Sequence, residues 1–184
     1  MTDIVKIAVD AMGGDKSPKK IIEGLEISLK KNKKNYFYLF GHEEKLNKKI
    51  AKNSLLINHS EIIHSEDIIL DNESPLSAAK RGKNSSMWKT IEYIKDKKAD
   101  IALSAGNTGA MLVISRLLLE TIDGISKPAL AGLWPNEKNM NVVLDLGANV
   151  ECDDKNLVDF SEMGSALYKA LFPDENPKVA LLNI

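Results

Sequence analysis

Residues 101–112 read "IALSAGNTGAML", and this stretch decides the fold. An apolar run enters a turn that contains Gly106 and Gly109, and an almost wholly apolar helix pattern leaves it. Other short apolar runs that we interpret as strands lie at residues 5–11, 36–41, 55–60, 61–65, 128–134, 140–147 and 178–184. Helical patterns separate most of them. Because short apolar strands with intervening helices are typical of buried parallel sheets, we predict a three-layer α/β/α fold with a mostly parallel sheet.

The predicted helix starts carry capping residues. Two Ser–Pro pairs, Ser17-Pro18 and Ser74-Pro75, each predict an N-cap followed by proline in the first turn. Further helices are predicted over residues 86–97, over residues 108–120, and from a cap at Asp153 or Asp154 to Leu171. The run at residues 178–184 lacks a terminator, so we expect a single α/β domain over residues 1–184 that is truncated. A genuine edge strand at the end of the chain is the alternative.

The composition suits a globular protein and argues against several classes. The 184 residues include 25 Lys+Arg and 26 Asp+Glu, and the net charge of −1 predicts no affinity for nucleic acid. Only Arg81 and Arg116 are arginines. Cys152 is the only cysteine, which excludes an intrachain disulfide and favours a cytoplasmic protein. The most apolar stretch, residues 110–119, is interrupted by Ser115 and is shorter than the roughly 20 residues of a membrane helix.

Four loops that follow predicted strands or precede predicted helices carry the candidate chemistry, since ligands of open α/β sheets bind beyond the carboxyl ends of strands. The first loop, "AVDAMGGDKSP", places Asp10 and Asp15 on either side of Gly13-Gly14. Paired glycines let the backbone approach a ligand closely. The two carboxylates could accept a proton, hold a metal or orient a donor. A tight turn in which Asp15 caps the next helix explains the same residues.

The second loop, "KRGKNSSM", brings cations and hydroxyls to the start of a helix, an arrangement that suits an anion. Its candidate residues are Arg81, Lys83, Ser85 and Ser86. A solvated connection capped by Ser85 or Ser86 is the simpler interpretation, and the sequence alone favours it.

The third loop lies within residues 101–112, where Ser104, Asn107 and Thr108 surround the two glycines. Its helix N–H groups would point at an anion. It matches neither the P-loop nor the dinucleotide-binding pattern, so a small phosphate or an oxyanion fits better than a nucleotide.

The fourth loop, "DLGANVECDD", places Asp145 at a strand end and offers the Asn149 amide as a donor, although a plain turn explains it too. Taken together, the four loops indicate an anion-binding α/β enzyme without a nucleophilic triad.

The chain also resembles a known family. Six segments occur along the chain in the following order: "AVDAMGGD…SP", "KNSSM", "SAGNTGA", "GISKPAL", "LDLGANV" and "ALLNI". Together, from residue 5 to residue 184, they resemble the bacterial phosphate acyltransferases of phospholipid synthesis, the acyl-ACP:phosphate transacylases. The resemblance implies a fold like that of the isocitrate/isopropylmalate dehydrogenases. It also implies a homodimer that needs neither a nicotinamide cofactor nor a metal.

The implied reaction transfers a long fatty acyl group from acyl carrier protein to inorganic phosphate, and gives acyl phosphate for glycerol-3-phosphate acylation. For this reaction, we expect the third loop to cradle the anion. We expect cations of the second loop to attract phosphate or the acidic carrier protein. The expected catalytic residues are Asp10, Asp15, Asn107 and Asn149, and the expected phosphate- or substrate-binding residues are Gly13, Gly14, Arg81, Lys83, Ser85, Ser86, Ser104, Gly106, Thr108, Gly109 and Asp145.

The chain departs from the family pattern in two ways. Family members continue past the LLNI strand, so we expect this chain to be the N-terminal part of a longer enzyme. Part of the site, part of the dimer interface and the membrane-associating element would lie in the remainder. Peripheral membrane association is therefore expected only for the full-length form. Lys127 stands where the family pattern has arginine.

Three other functions remain as alternatives. A short-chain phosphotransacetylase that uses coenzyme A would share the fold. A dehydrogenase of the same fold is weakened by the missing dinucleotide pattern. An anion-binding fragment would fold without catalysing a reaction.

Overall fold

The computed structural model describes residues 4–50, 54–137 and 139–182. The chain divides into two compact units, Met1–Glu120 and Thr121–Ile184. The expectation of a single domain over the whole chain stays a prediction.

The first unit is built on a four-stranded sheet in the order β3-β2-β1-β4. All of its strand pairs are parallel. The strands are β1 (Val5–Asp10), β2 (Asn35–Gly41), β3 (Ser60–His64) and β4 (Ile101–Leu103). The helices are α1 (Lys19–Lys31), α2 (Glu43–Lys49), α3 (Leu56–His59), α4 (Pro75–Arg81), α5 (Ser86–Lys95) and α6 (Thr108–Leu119), with a 3-10 turn at Gly82–Asn84. The parallel sheet and its flanking helices confirm the predicted three-layer α/β/α fold.

Alternation along the strands places a core on each face of this sheet. Val9 and Leu39 pack with α1, whose Leu25 and Leu29 are buried. The neighbouring residues Ala8 and Phe40 belong to a separate cluster on the other side. Because successive side chains of a strand point to opposite faces, β1 and β2 are covered by apolar groups on both sides.

The register of β1 and β4 brings two candidate loops together. These strands pair in parallel, with Val9 opposite Leu103. Both therefore end at the same edge of the sheet, and the loops that follow Asp10 and Leu103 begin side by side.

Two local predictions in the first unit were wrong. Residues 55–60, predicted as a strand, contain helix α3 instead, because a short apolar run does not distinguish the two structures. Ser17 does not cap α1, which begins at Lys19 with Pro18 at the N-cap and without a side-chain cap. Its hydroxyl donates to the Gly13 carbonyl in the preceding turn instead. At α4, Ser74 does occupy the N-cap position and Pro75 the first turn, but the serine side chain makes no cap hydrogen bond.

The second unit contains strands β5 (Gly132–Pro135) and β6 (Met140–Val143) and helix α7 (Asp154–Leu171). The two strands pair antiparallel. Asp153 caps α7 in a reciprocal capping box with Asn156. Of the two residues predicted as the cap, Asp153 is therefore confirmed. Residues 178–182, predicted as part of a strand, are not in a strand, and residues 183–184 lie outside the described ranges.

Within the described ranges, no helix is both long enough and apolar enough to span a membrane.

Candidate functional site

Asp10 joins the first and third loops. Its side chain lies at the end of β1 and is only 1% exposed. Oδ1 accepts the N–H groups of Met12 at 3.2 Å and Gly13 at 3.1 Å. Oδ2 accepts the Ser104 hydroxyl at 2.7 Å, and the Ser104 oxygen in turn accepts the Gly106 N–H at 3.1 Å. One buried carboxylate therefore fixes the backbone of both loops.

The glycines of these loops allow their close approach. A Cβ on Gly13 would lie 2.5 Å from Asp10 Oδ2 and 2.9 Å from the Gly106 nitrogen. A Cβ on Gly14 would lie 2.5 Å from the Ala105 carbonyl oxygen, and Gly14 has a φ of +83°. Any side chain at either position would push the loops apart.

Asn107 is the N-cap of α6. Its Oδ1 accepts the Ala110 N–H at 2.9 Å. Its Nδ2 faces three main-chain carbonyls, those of Glu73 at 2.9 Å and of Leu70 and Asp71 at 3.2 Å each. The amide hydrogens of Asn107 are thus directed at the protein's own backbone.

The first turn of α6 retains backbone donors. Asn107 satisfies the N–H groups of Ala110 through its side chain and Met111 through its carbonyl. Among the described residues, the N–H groups of Thr108 and Gly109 have no hydrogen-bond partner. Thr108 is exposed, and Gly109 lies against Pro75, whose Cγ would be 2.6 Å from a Cβ at that position. These two unpaired donors lie at the positive end of the helix dipole, the end that attracts anions.

The second loop offers fewer free groups for binding an anion than its composition suggests. Ser85 is fully buried and caps α5 by accepting the Trp88 N–H at 3.1 Å. The Ser86 N–H donates to the Asp67 carbonyl at 3.1 Å, and the Ser86 hydroxyl is buried without a partner among the described residues. Lys83 is exposed. The simpler interpretation of this loop, a connection capped by Ser85, matches the observed hydrogen bond.

Arg81 forms a salt bridge with Glu73. Its Nε lies 2.9 Å from Glu73 Oε2, and one of its terminal nitrogens donates to the same oxygen. The Leu70 N–H and the Arg81 guanidinium hold the pKa of Glu73 below its usual value. No sequence motif marks Glu73, so its role could not be predicted from residue types alone.

Asp15 is exposed in the turn before α1. It does not cap that helix, whose N-cap is Pro18. The turn interpretation that used Asp15 as a cap is therefore wrong, and its carboxylate stays accessible to solvent.

The fourth loop lies in the second unit and is held by its own side chains. Asp145 accepts the N–H groups of Leu130 at 2.8 Å, Ala148 at 3.2 Å and Asn149 at 2.8 Å. The Asn149 amide nitrogen donates to Asp145 at 3.0 Å and to the Pro128 carbonyl at 2.8 Å. Partial burial opposes ionisation of Asp145, but these hydrogen bonds outweigh it and lower its pKa.

Lys127, which replaces the expected arginine, donates to the Glu151 carbonyl at 2.7 Å. A single-point donor suffices for that contact. In the described part of the chain, no group of three or more His, Cys, Asp or Glu side chains could hold a metal ion.

The geometry defines an α/β protein whose parallel sheet carries a candidate anion site at its carboxyl edge. The family model described as "Fatty acid synthesis protein" matches residues 5–184, and the chain belongs to that family.

The relatives carry a more specific name. A "Phosphate acyltransferase" of Pelagibacter ubique (strain HTCC1062) is 59% identical over 184 residues, which are 100% of this chain and 55% of the relative. Proteins of the same name from Xanthobacter autotrophicus and Bradyrhizobium diazoefficiens are 42% and 41% identical over 185 residues, 100% of this chain and 52% of each relative. The chain spans about half the length of these curated relatives.

Proposed function

We propose that this chain supplies the phosphate-binding part of an acyltransferase that moves a long fatty acyl group from acyl carrier protein to inorganic phosphate. The observation that carries the proposal is the pair of N–H groups of Thr108 and Gly109 at the first turn of α6, which have no hydrogen-bond partner within the described ranges. The family match and the name of the relatives support the same reaction class.

The chemistry needs no nucleophilic side chain. A phosphate oxygen attacks the thioester carbonyl carbon, the C–S bond breaks, and the carrier thiol leaves with the proton that phosphate gives up. The protein has to position phosphate and stabilise the developing oxyanion, and fixed backbone N–H groups suit both tasks. Among the acidic candidates, Asp10 is buried and holds backbone donors, whereas the exposed Asp15 carboxylate would pass this proton from phosphate to the thiol.

The partners belong to the same proposal. Acyl carrier protein is the acyl donor, acyl phosphate for phospholipid synthesis is the product, and the full-length enzyme works as a homodimer. The description of the matching family and the name of the curated relatives both fit a protein of fatty acid and phospholipid metabolism.

The test is phosphate-dependent release of free acyl carrier protein from palmitoyl-acyl carrier protein. We would compare the 184-residue chain with a chain extended to the full length of its relatives. Release by the extended form, dependent on phosphate, is the expected result. Acetyl-coenzyme A replaces the palmitoyl donor in a parallel reaction.

Preference for acetyl-coenzyme A would favour the short-chain phosphotransacetylase instead. A well-folded extended form that releases carrier protein at no phosphate concentration would contradict the proposal. Release by both forms would place the essential chemistry within these 184 residues.

A further inference from the structure

A turn at residues 70–73, here called the 70–73 loop, lies against the first turn of α6. The Leu70 N–H donates to Glu73 Oε1 at 2.8 Å, and the Glu73 N–H donates to the Leu70 carbonyl at 3.2 Å. These two bonds close the loop on itself. Three of its carbonyls face Asn107 Nδ2, at 2.9 to 3.2 Å. Asn107 in turn caps the Ala110 N–H, so the 70–73 loop is connected to the start of α6 through one side chain.

Arg81 holds the loop from the other side. Two of its nitrogens donate to Glu73 Oε2, while Glu73 Oε1 accepts the Leu70 N–H. The Glu73 side chain is 16% exposed and that of Arg81 is 52% exposed. A lysine would present one nitrogen here and lose the fixed fork of the guanidinium. The contacts run without a break from Arg81 through Glu73 to Asn107.

We propose that Arg81 is a positioning residue that acts through Glu73 and the 70–73 loop on Asn107, and so fixes the first turn of α6. The cation predicted to contact phosphate instead sets the position of the backbone donors. This inference rests on the proposed function for the identity of the anion, but the chain of contacts stands without it.

Amide hydrogen exchange tests the coupling without any ligand. Arg81→Ala is expected to speed exchange at the Leu70 and Ala110 N–H groups by roughly two- to fivefold, the scale of one lost ion pair that is half exposed to solvent. Arg81→Lys should restore little of the protection. The matched control is Arg116→Ala, since Arg116 is exposed at the last turn of α6, and it should leave both amides unchanged. Unchanged exchange at Ala110 in Arg81→Ala would overturn the proposal.

Phosphate affinity separates positioning from direct contact. We would measure the Kd of inorganic phosphate by calorimetry for Arg81→Ala, Glu73→Ala and the double variant. If Arg81 acts through Glu73, each single variant weakens binding by a similar factor and the double variant is no weaker than either. A further loss on removing Arg81 from the Glu73→Ala protein would show direct contact and overturn the proposal.

A failure of the Arg81 proposal can be distinguished from a failure of the proposed function. Wild-type protein that binds no phosphate would count against the proposed function. The exchange rates at Ala110 would still decide whether Arg81 positions α6.

Discussion

Replacement of Asp10 by alanine is expected to lower the free energy of unfolding of the first unit by about 3 kcal/mol or more. The side chain is 1% exposed and accepts three hydrogen bonds, from Met12, Gly13 and Ser104. Its loss leaves those donors without an acceptor, and an unsatisfied buried donor costs about 1–3 kcal/mol. Urea titration followed by Trp88 fluorescence, in a Trp134→Phe background, measures the change.

The controls for Asp10 come from the same loop. Asp15→Ala removes an exposed carboxylate and should stay within about 0.5 kcal/mol of the parent protein. Asp10→Asn keeps one oxygen acceptor and should lose less than alanine does. Equal stabilities for Asp10→Ala and Asp15→Ala would show that the buried carboxylate does not hold the two loops together.

Gly14→Ala should destabilise the first unit by about 3 kcal/mol. A left-handed conformation costs an L-residue roughly 1–2 kcal/mol, and Gly14 has a φ of +83°. The new Cβ would also lie 2.5 Å from the Ala105 carbonyl oxygen, which is backbone and cannot rotate away. The same clash separates the first loop from the third, so phosphate affinity should fall with stability.

Two other glycines separate the causes of that loss. Gly124 has a φ of +89° but nothing within 4 Å of its Cβ position, so Gly124→Ala should show the conformational cost alone. Gly24 lies in α1 with nothing within 4 Å, and Gly24→Ala should stabilise the protein by roughly 0.5–1 kcal/mol. Similar losses for Gly14→Ala and Gly124→Ala would mean that the close approach of the loops contributes little.

The parallel sheet could be predicted because its strands obey simple rules. The middle residues of β1 and β2 are mostly apolar on both faces, and helix α1 between them shows a buried stripe of Ile22, Leu25 and Leu29. Because parallel strands end at one edge of a sheet, the pattern also predicted that the loops after Asp10 and Leu103 lie at that edge. That they lie side by side depends on the pairing of β1 with β4, which the pattern does not specify. The rules fail for short apolar runs, and Leu56–His59, within the run predicted as a strand, form a helix for that reason.

The contacts of individual side chains could not be predicted in the same way. Asn107 was expected to face an anion, and its amide faces carbonyls 34 to 37 residues away in the chain. Ser104 and Asp10 are 94 residues apart, and nothing in either segment specifies their hydrogen bond. Asn149 and Asp145 likewise hold their own turn. The loops could be located because their residue types suffice for that, whereas the hydrogen-bond partner of each side chain depends on how the elements pack.

The most direct test of the anion site is a phosphate titration of the isotope-labelled 184-residue chain, in which amide chemical shifts are measured by NMR at each phosphate concentration. Sodium chloride at matched ionic strength is the reference. An anion site at the first turn of α6 predicts saturable shifts at the N–H groups of Thr108 and Gly109, with smaller shifts along the loop after Asp10. Shifts confined to the start of α5, or none beyond those produced by chloride, would contradict an anion site at the first turn of α6.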